Sequence, residues 1–297
     1  MKALTYTNLP NSYSKGKVRD TYSLNDELLL MVATDRISAF DVILPDGIPD
    51  KGKILTKMSC FWFTYTESII KNHFVSTVAD ASSEISELIN EIDIEIAERS
   101  IIIKKAERID VECIARGYLT GSVWAEYQKT GTIHSQRYPS GLKEGHKFDE
   151  PLFTPTTKAK IGHDEPLTIS EITNLLGKNL TNELSARTIA LYKAAEQYAN
   201  SKGIIIADTK FEFGFLKDEL ILIDEVLTPD SSRFWDKSKY EIGTIPPNFD
   251  KQFVRDWLIN HGWNKNPPAP NLPLDIINST RERYLQAYQI LTGNILF

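Results

Sequence analysis

Cysteine is nearly missing from this chain, with Cys60 and Cys113 alone among 297 residues. Two thiols cannot build a disulfide framework, and no CxxC or Cys/His spacing suggests zinc. Each lies in an apolar stretch and reads as an inert buried thiol rather than a nucleophile. Positive charge is also short: 34 Lys and Arg face 40 Asp and Glu, for a net charge of -6. A nucleic-acid partner usually leaves a basic footprint, so none is expected. A small anionic ligand remains compatible, because local Lys/Arg clusters matter more than the total. Long apolar runs are absent too. Leu28–Ala33 and Ile204–Ala207 fall far below the roughly 20 residues a membrane helix needs. The opening MKALTYTNLPNSYSKGK lacks the apolar core of a signal peptide. No Ser/His/Asp order stands out, and the five histidines show no ligand spacing. The expectation is a soluble cytoplasmic protein without a membrane partner.

What is present begins with ordinary globular content, 41% hydrophobic and 25% charged. The length favours two domains over one core. Residues 12–34 read as a hairpin: a strand Ser14–Tyr22, a polar turn at 25–27 and the apolar strand Leu28–Ala33. A helix is expected over Leu55–Ile70, with its aromatic residues in the core. A short strand follows at Ile101–Lys104, with Val111–Ala115 continuing the sheet or leading into the next domain. A further helix runs from Thr120 through Lys129 and is closed by Gly131. Tyr138–Pro166, dense in Pro, Gly, Lys and Thr, reads as a long ordered loop. Ser170 caps a helix stopping at Gly177, and Thr181 opens a longer one ending at Gly203. Asn264–Pro273 is a proline-rich connector, and Leu274–Leu291 a closing helix. Strands dominate the first third; helices around a central hairpin dominate the rest. The pattern predicts an α+β fold with two domains, 1–110 and 111–297.

The most informative stretch is IIIADTKFEFG, a short turn, then LILIDEVLTPDSSRFW, over residues 204–235. In a strand Ile204–Phe213, period-two alternation places Asp208, Lys210 and Glu212 on one face and Thr209, Phe211 and Phe213 on the other. If Lys217–Glu219 form a three-residue loop, Leu216 pairs with Leu220 and Glu212 lies directly opposite Asp224. Two carboxylates that close repel unless a cation lies between them, and oxygen ligands favour Mg²⁺ over zinc. A solvated sheet face with cross-strand salt bridges accounts for the same residues.

Other clusters carry similar alternatives. Lys15–Gly16–Lys17–Val18–Arg19 could bring backbone N–H groups and cations to a phosphate, or be an exposed turn. Arg116 and Ser122, within RGYLTGS, suit an anion site at a helix start, or an ordinary N-cap beside a surface arginine. Arg233 could present a second face to the same anion, or pair with Asp230 in a turn. Arg36 and Ser38, leaving a buried strand, suit a charged substrate or a bare loop. Lys158 could reach a ligand from the long loop.

GKVRDTY (16–22), ATDRISAFD (33–41), VECIARGYLTGS (111–122), FTPTTKA (153–159), IIIADTKFEFG (204–214) and DEVLTPDSSRFW (224–235) together resemble the SAICAR synthetase family. These are the phosphoribosylaminoimidazole-succinocarboxamide synthases of purine biosynthesis, and the longer, fungal-like form is the nearer in wording. The similarity runs from about residue 13 to the closing helix. One departure is Asp110, where many members carry proline. The resemblance implies a ligase that joins 5-amino-1-(5-phosphoribosyl)imidazole-4-carboxylate (CAIR) to L-aspartate, with ATP giving ADP and phosphate. It implies an N-terminal antiparallel-sheet nucleotide-binding domain of kinase or ATP-grasp likeness, a C-terminal α+β domain, and an active site in the cleft between them. By residue, it implies that Lys15, Gly16, Lys17, Val18 and Arg19 cover the ATP phosphates. Arg116, Ser122 and Arg233 would hold the ribotide phosphate, and the catalytic pair Asp208 and Lys210 would contact its aminoimidazole and carboxylate. Glu212 and Asp224 would bind Mg²⁺, with Lys158 near substrate and Arg36 and Ser38 as the aspartate candidates. The longer form suggests a monomer. A small-molecule kinase would use the same phosphate loop and acids, and a nucleotide-binding regulatory protein would need no turnover.

Overall fold

The computed structural model describes residues 2–90, 92–158 and 164–296. Period-two burial builds the first sheet. β1 (Ser12–Lys15) and β2 (Arg19–Ser23) form a hairpin, so the expected strand Ser14–Tyr22 is broken by a turn at residues 16–18. There the Gly16 N–H donates to the Arg19 carbonyl at 2.7 Å. β3 (Leu28–Ala33) follows, then a ribbon of β4 (Arg36–Ala39) and β5 (Val42–Gly47). α1 (Lys51–Thr66) starts a turn before the expected Leu55. The buried carboxylate of Asp35 accepts from the Gly52 N–H at 2.9 Å and so anchors that earlier start. β6 (Phe74–Thr77), the short α2 (Ser83–Leu88) and α3 (Ile94–Ala97), and β7 (Ser100–Lys104) complete this part. The strand order is β1-β2-β3-β7-β6. Leu29 and Met31 face Ile54, Met58 and Trp62 of α1, while the intervening Leu30 and Val32 face Ile96 and Ile102.

The second sheet begins with β8 (Glu107–Arg108) and β9 (Val111–Tyr118). α4 (Gly121–Thr130) ends on left-handed Gly131, as expected, and leads through β10 (Thr132–Ile133) and β11 (Gln136–Arg137). The stretch 138–166 is not a bare loop: β12 (Lys147–Phe153) and β13 (Thr156–Thr157) pair with β9. Residues 159–163, including Ala159 of the FTPTTKA motif, lie outside the described residues. α5 (Ile169–Leu176) is capped by Thr168 rather than Ser170, because Glu171 returns a hydrogen bond to close a capping box. α6 (Lys178–Ser201) starts before Thr181, which instead donates its hydroxyl to the Gly177 carbonyl. β14 (Ile204–Leu216), β15 (Glu219–Ile223) and β16 (Ser232–Asp236) follow, then α7 (Gln252–Asn260) and the closing α8 (Leu274–Thr292). The sheet path is β12-β9-β14-β15, with β8 and β16 also on β14.

α8 returns to pack on α1. The joint is polar as well as apolar. Lys51 Nζ lies 2.8 Å from Asp230 Oδ2, both fully enclosed, and the Tyr284 hydroxyl donates to Asp230 Oδ1 at 2.8 Å. Burial resists ionisation of Asp230, but Lys51 above all, with Lys251 and Tyr284, holds its carboxyl far below its usual range. Removing one partner of such a pair strands the other, at about 3–5 kcal/mol. The turn at 228–232 is therefore fixed from two helices at once.

Candidate active site

A bulge in β14 decides which side chains reach the cleft. Before it, Ile204 and Ile206 point into the core under α6; past it, the core positions are Thr209, Phe211 and Phe213. The pairing with β16 shifts between Ile206 and Asp208, which inserts Ala207 and reverses the alternation. Unbroken alternation from Ile206 would turn Asp208 into the core; with the bulge, Asp208, Lys210 and Glu212 line the other face.

At the first of these positions, Arg116 and Arg233 both bond Asp208 Oδ2. Arg116 also donates from Nε to Thr154 Oγ1 at 2.9 Å and from Nη2 to Ser122 Oγ at 3.2 Å. Gly121 is left-handed at φ 62°, and a Cβ there would lie 2.5 Å from Arg233 Nη2. Glycine thus lets Arg233 lie on the turn that starts α4. The alternative pairing of Arg233 with Asp230 does not occur, since Asp230 belongs to Lys51. Burial, aided by Arg233, pulls the Arg116 guanidinium below its ordinary range, with Asp208 opposing.

At the second, Lys210 Nζ reaches both oxygens of Glu112, at 2.9 and 3.1 Å. Lys158 Nζ bridges Glu112 Oε1 at 2.8 Å and Glu212 Oε1. Burial resists ionisation of Glu112, but Lys210 and Lys158 outweigh it and hold that carboxyl below its usual range.

At the third, the hairpin register corrects the expected one. The loop has two residues, not three: Leu216 pairs with Glu219, and Glu212 with Ile223. Lys217 supplies the tight reversal by adopting φ 58°. Asp224 therefore stands one residue past the position opposite Glu212, on what a continued strand would make the wrong face. It does not continue the strand. At φ 60° it turns left-handed, and its carboxyl comes close enough to Glu212 for the charge of one to act on the other. Burial and the Asp224 charge push Glu212 up to about 7. Asp224 itself sits below its usual range: burial opposes this, but Arg19 and Lys158 prevail.

The glycine turn of the first sheet reaches the same place. Arg19 pairs with Glu225 Oε2 at 2.5 Å, so the start of β2 meets the residue after Asp224. Val18 is buried, and its carbonyl accepts from Thr34 Oγ1 at 2.6 Å. Lys17 pairs with Asp41, and Lys15 donates to the Thr7 carbonyl at 3.2 Å. Arg36 is spent on that turn. Its guanidinium donates to the carbonyls of Gly16 (3.0 Å), Lys17 (3.1 Å) and Thr5 (2.9 Å) and to both oxygens of Asp20. Ser38 is buried in β4. The geometry of these two residues lends nothing to the expected aspartate pocket.

The family model described as SAICAR synthetase matches residues 12–270. The chain belongs to the SAICAR synthetase family. It is 50% identical to the phosphoribosylaminoimidazole-succinocarboxamide synthase of Maridesulfovibrio salexigens, over 95% of this chain and 94% of that one. Identity to the enzyme so named in Thermodesulfovibrio yellowstonii is 52%, over 94% of each. The SAICAR-synthase of Saccharomyces cerevisiae, solved with SAICAR, superposes with a TM-score of 0.88 at 43% identity, over 98% and 99% of the two chains.

Several residues of this SAICAR synthetase site escaped sequence reasoning. Glu112 stood inside a quoted motif but had no visible partner, since its lysines come from 46 and 98 positions away. Glu225 likewise stood inside DEVLTPDSSRFW with its partner Arg19 far away in the chain, and Lys51 gave no local signal. Lys251, at the start of α7, is driven down to about 8 by burial, despite Asp230. Asp250 accepts from the Phe234 and Gln252 N–H groups, and burial raises it to about 6. Of the two thiols Cys113 is buried as expected and Cys60 only partly, and desolvation raises both to about 12. Among the described residues no helix is long and apolar enough to cross a membrane.

Proposed function

We propose that this chain carries out its family's ligation, joining the carboxylate of CAIR to the amine of L-aspartate while ATP becomes ADP and phosphate. The face of β14 supports this reading. It carries a doubly arginine-bound Asp208, then Lys210, then Glu212, whose carboxyl feels the charge of Asp224 just past β15. Arg116, Arg233 and Ser122 suit the ribotide phosphate, since two guanidiniums against one carboxylate leave positive charge to spare. Asp208 and Lys210 would meet the aminoimidazole and its carboxylate. The turn Lys15–Arg19 would cover the ATP phosphates, with Arg36 holding its shape and Lys158 bordering the substrate.

A carboxylate is a poor electrophile and needs activation. A carboxylate oxygen of CAIR attacks the γ-phosphorus, the bond to ADP breaks, and an acyl phosphate results. The aspartate amine then attacks the acyl carbon, inorganic phosphate leaves, and the nitrogen gives up a proton. Such transfer asks the protein mainly for positioning and charge neutralisation. Glu212 and Asp224 fit Mg²⁺: both donors are oxygens, and two carboxyls held together with one pushed toward protonation form a pair that a dication would relieve. Among the described residues no larger group of His, Cys, Asp and Glu could hold a metal. Mg²⁺ usually takes one or two carboxylates and fills its shell from water and phosphate. When bound it neutralises charge on the transferring phosphoryl group.

We place the division between the two functional units near residue 110, and the protein in the cytoplasm as a monomer acting on small molecules alone. The deciding experiment is ADP release with each substrate omitted in turn. Full turnover that requires both CAIR and aspartate supports the ligase. Phosphorylation of a hydroxyl acceptor without an amine would favour a small-molecule kinase instead.

A further inference from the structure

Residues 3–7 precede β1 and lie ahead of the residues 12–270 that the family model matches. They run along the first sheet as a strap. Backbone bonds seat one end of it: the Leu4 N–H donates to Asp35 Oδ2 at 2.8 Å, and the Asp35 N–H donates to the Leu4 carbonyl at 2.7 Å. Asp35 is itself buried and held by the Gly52 N–H at 2.9 Å and by Arg99 Nη1 at 2.7 Å. Gly47, the last residue of β5, leaves room for the strap, since a Cβ there would lie 2.7 Å from Thr5 Cγ2 and 2.8 Å from Ala3 Cβ. The other end meets the glycine turn. Lys15 Nζ donates to the Thr7 carbonyl at 3.2 Å and lies over the Tyr6 ring, 4.8 Å from its centroid.

Thr7 is buried, and its hydroxyl joins two further buried groups. It donates to Asp20 Oδ2 at 2.5 Å, and its oxygen lies 2.6 Å from the Tyr22 hydroxyl. A threonine hydroxyl has one hydrogen and a carboxylate only accepts, so the Tyr22 O–H donates to Thr7 in turn. Asp20 takes two more bonds from Arg36, at 2.7 and 3.1 Å. That guanidinium also donates to the carbonyls of Thr5, Gly16 and Lys17. An unbroken chain of hydrogen bonds thus runs from Tyr22 through Thr7, Asp20 and Arg36 to the turn. A buried network of this kind fixes a geometry only while every member is satisfied. We propose that Thr7 is a positioning residue for nucleotide binding: from the strap it orients the Asp20 carboxylate, which orients Arg36, which holds the Gly16 and Lys17 carbonyls in place. The inference rests on the reading of Lys15–Arg19 as the cover of the ATP phosphates. A hydroxyl that merely stabilised the first sheet would lower the urea midpoint when removed and leave the KM for ATP where it was.

The test is steady-state kinetics of the full-length enzyme for wild type, Thr7→Val, Thr7→Ser and Gly16→Pro, with urea unfolding of each. Thr7→Val keeps the shape and loses the hydroxyl. It should raise the KM for ATP by about tenfold, the scale of one hydrogen bond to a charged group, with the KM for CAIR unchanged. Thr7→Ser, which can still donate to Asp20, should recover most of that loss. A folded Thr7→Val with a wild-type KM for ATP, or a serine variant no better than valine, overturns the proposal. Gly16→Pro removes the N–H that closes the turn onto the Arg19 carbonyl. If it leaves the KM for ATP unchanged, the reading of the turn falls, and this inference with it. If it raises that KM while Thr7→Val does not, only this inference falls. Should Thr7→Val not fold, amide exchange of the wild type decides: Mg²⁺ with ADP should slow exchange of the Asp35 N–H, which the strap closes through the Leu4 carbonyl. An Asp35 N–H whose exchange is unmoved by the nucleotide overturns the proposal.

Discussion

Arg116 and Arg233 converge on a single oxygen of Asp208, although they come from different strands on either side of β14. The carboxylate screens two guanidiniums that would otherwise repel, and it aims both at the start of α4. Arg233→Ala should therefore act on binding more than on chemistry. Hydrogen bonds to charged groups contribute about 1.5–3 kcal/mol, so the KM for CAIR should rise by about 10- to 100-fold with kcat much less affected. Steady-state kinetics at saturating ATP and aspartate check this. An unchanged KM for CAIR removes Arg233 from the phosphate site.

Gly121→Ala should reproduce part of that defect without touching a charge. The new methyl would lie 2.5 Å from Arg233 Nη2, at a backbone φ of 62° that L-residues avoid. A stability loss of about 1 kcal/mol or more is expected from the backbone alone. Displacement of Arg233 should additionally raise the KM for CAIR. Urea unfolding separates the two effects. A variant that is destabilised yet binds CAIR normally would show that Arg233 tolerates the displacement.

Arg36 distinguishes two readings of the first sheet. Its guanidinium holds the carbonyls of Gly16 and Lys17 and the carboxylate of Asp20, so Arg36→Met should loosen the glycine turn. The expected result is a higher KM for ATP, by about tenfold, with the KM for aspartate unchanged. The reverse pattern would restore Arg36 to the aspartate pocket. A binding contribution of about 1.4 kcal/mol corresponds to that tenfold change.

How much of this could be read from the chain divides along physical lines. The faces of β14 from Asp208 to Phe213 followed from period two, though the bulge before them did not, and the closing Gly131 and Gly177 from left-handed and helix-end chemistry. The stretch 138–166 was misread because β12 and β13 are short, irregular strands whose pairing partner, β9, lies far back in the chain. Glu112 and Lys51 were invisible as site residues for the same reason: their partners are distant in sequence. The hairpin register failed by one residue because Lys217, neither Gly nor Asn, takes the left-handed turn position. The Glu212–Asp224 meeting survived only because a second left-handed residue, Asp224 itself, compensates.

Asp250 provides a pH test away from the Glu212 and Asp224 carboxyls. Its carboxyl is buried and accepts two main-chain N–H groups, yet burial raises it to about 6 from an ordinary value near 3.8. A carboxyl whose folded pKa exceeds its unfolded one binds the proton more tightly in the folded state. Its favourable contribution is complete below about pH 3.8 and is lost as pH rises through about 6. Asp250→Asn removes that titration. The variant's stability relative to wild type should thus improve by roughly 1–3 kcal/mol between pH 4 and 6.5, as read from urea midpoints. A constant difference across that window would mean Asp250 is ionised throughout.

The carboxyl pair yields the sharpest expectation. Glu212 and Asp224 are two buried acids whose charges oppose each other, a repulsion that a bound dication would relieve. Asp224→Asn or Glu212→Gln should fold normally, because each replacement keeps the shape of the pair and relieves the repulsion between two buried acids. Both should nonetheless lower kcat by at least about 100-fold, since charge stabilisation of a transferring phosphoryl group is worth several kcal/mol. Raising Mg²⁺ should rescue Glu212→Gln only in part. Differential scanning calorimetry adds a reading free of catalysis: Mg²⁺ with ADP should raise the Tm of the wild type more than that of either variant. Near-normal turnover at saturating Mg²⁺, together with an undiminished Tm shift, would assign the ion to other ligands and leave the pair a structural contact between β14 and the residue after β15.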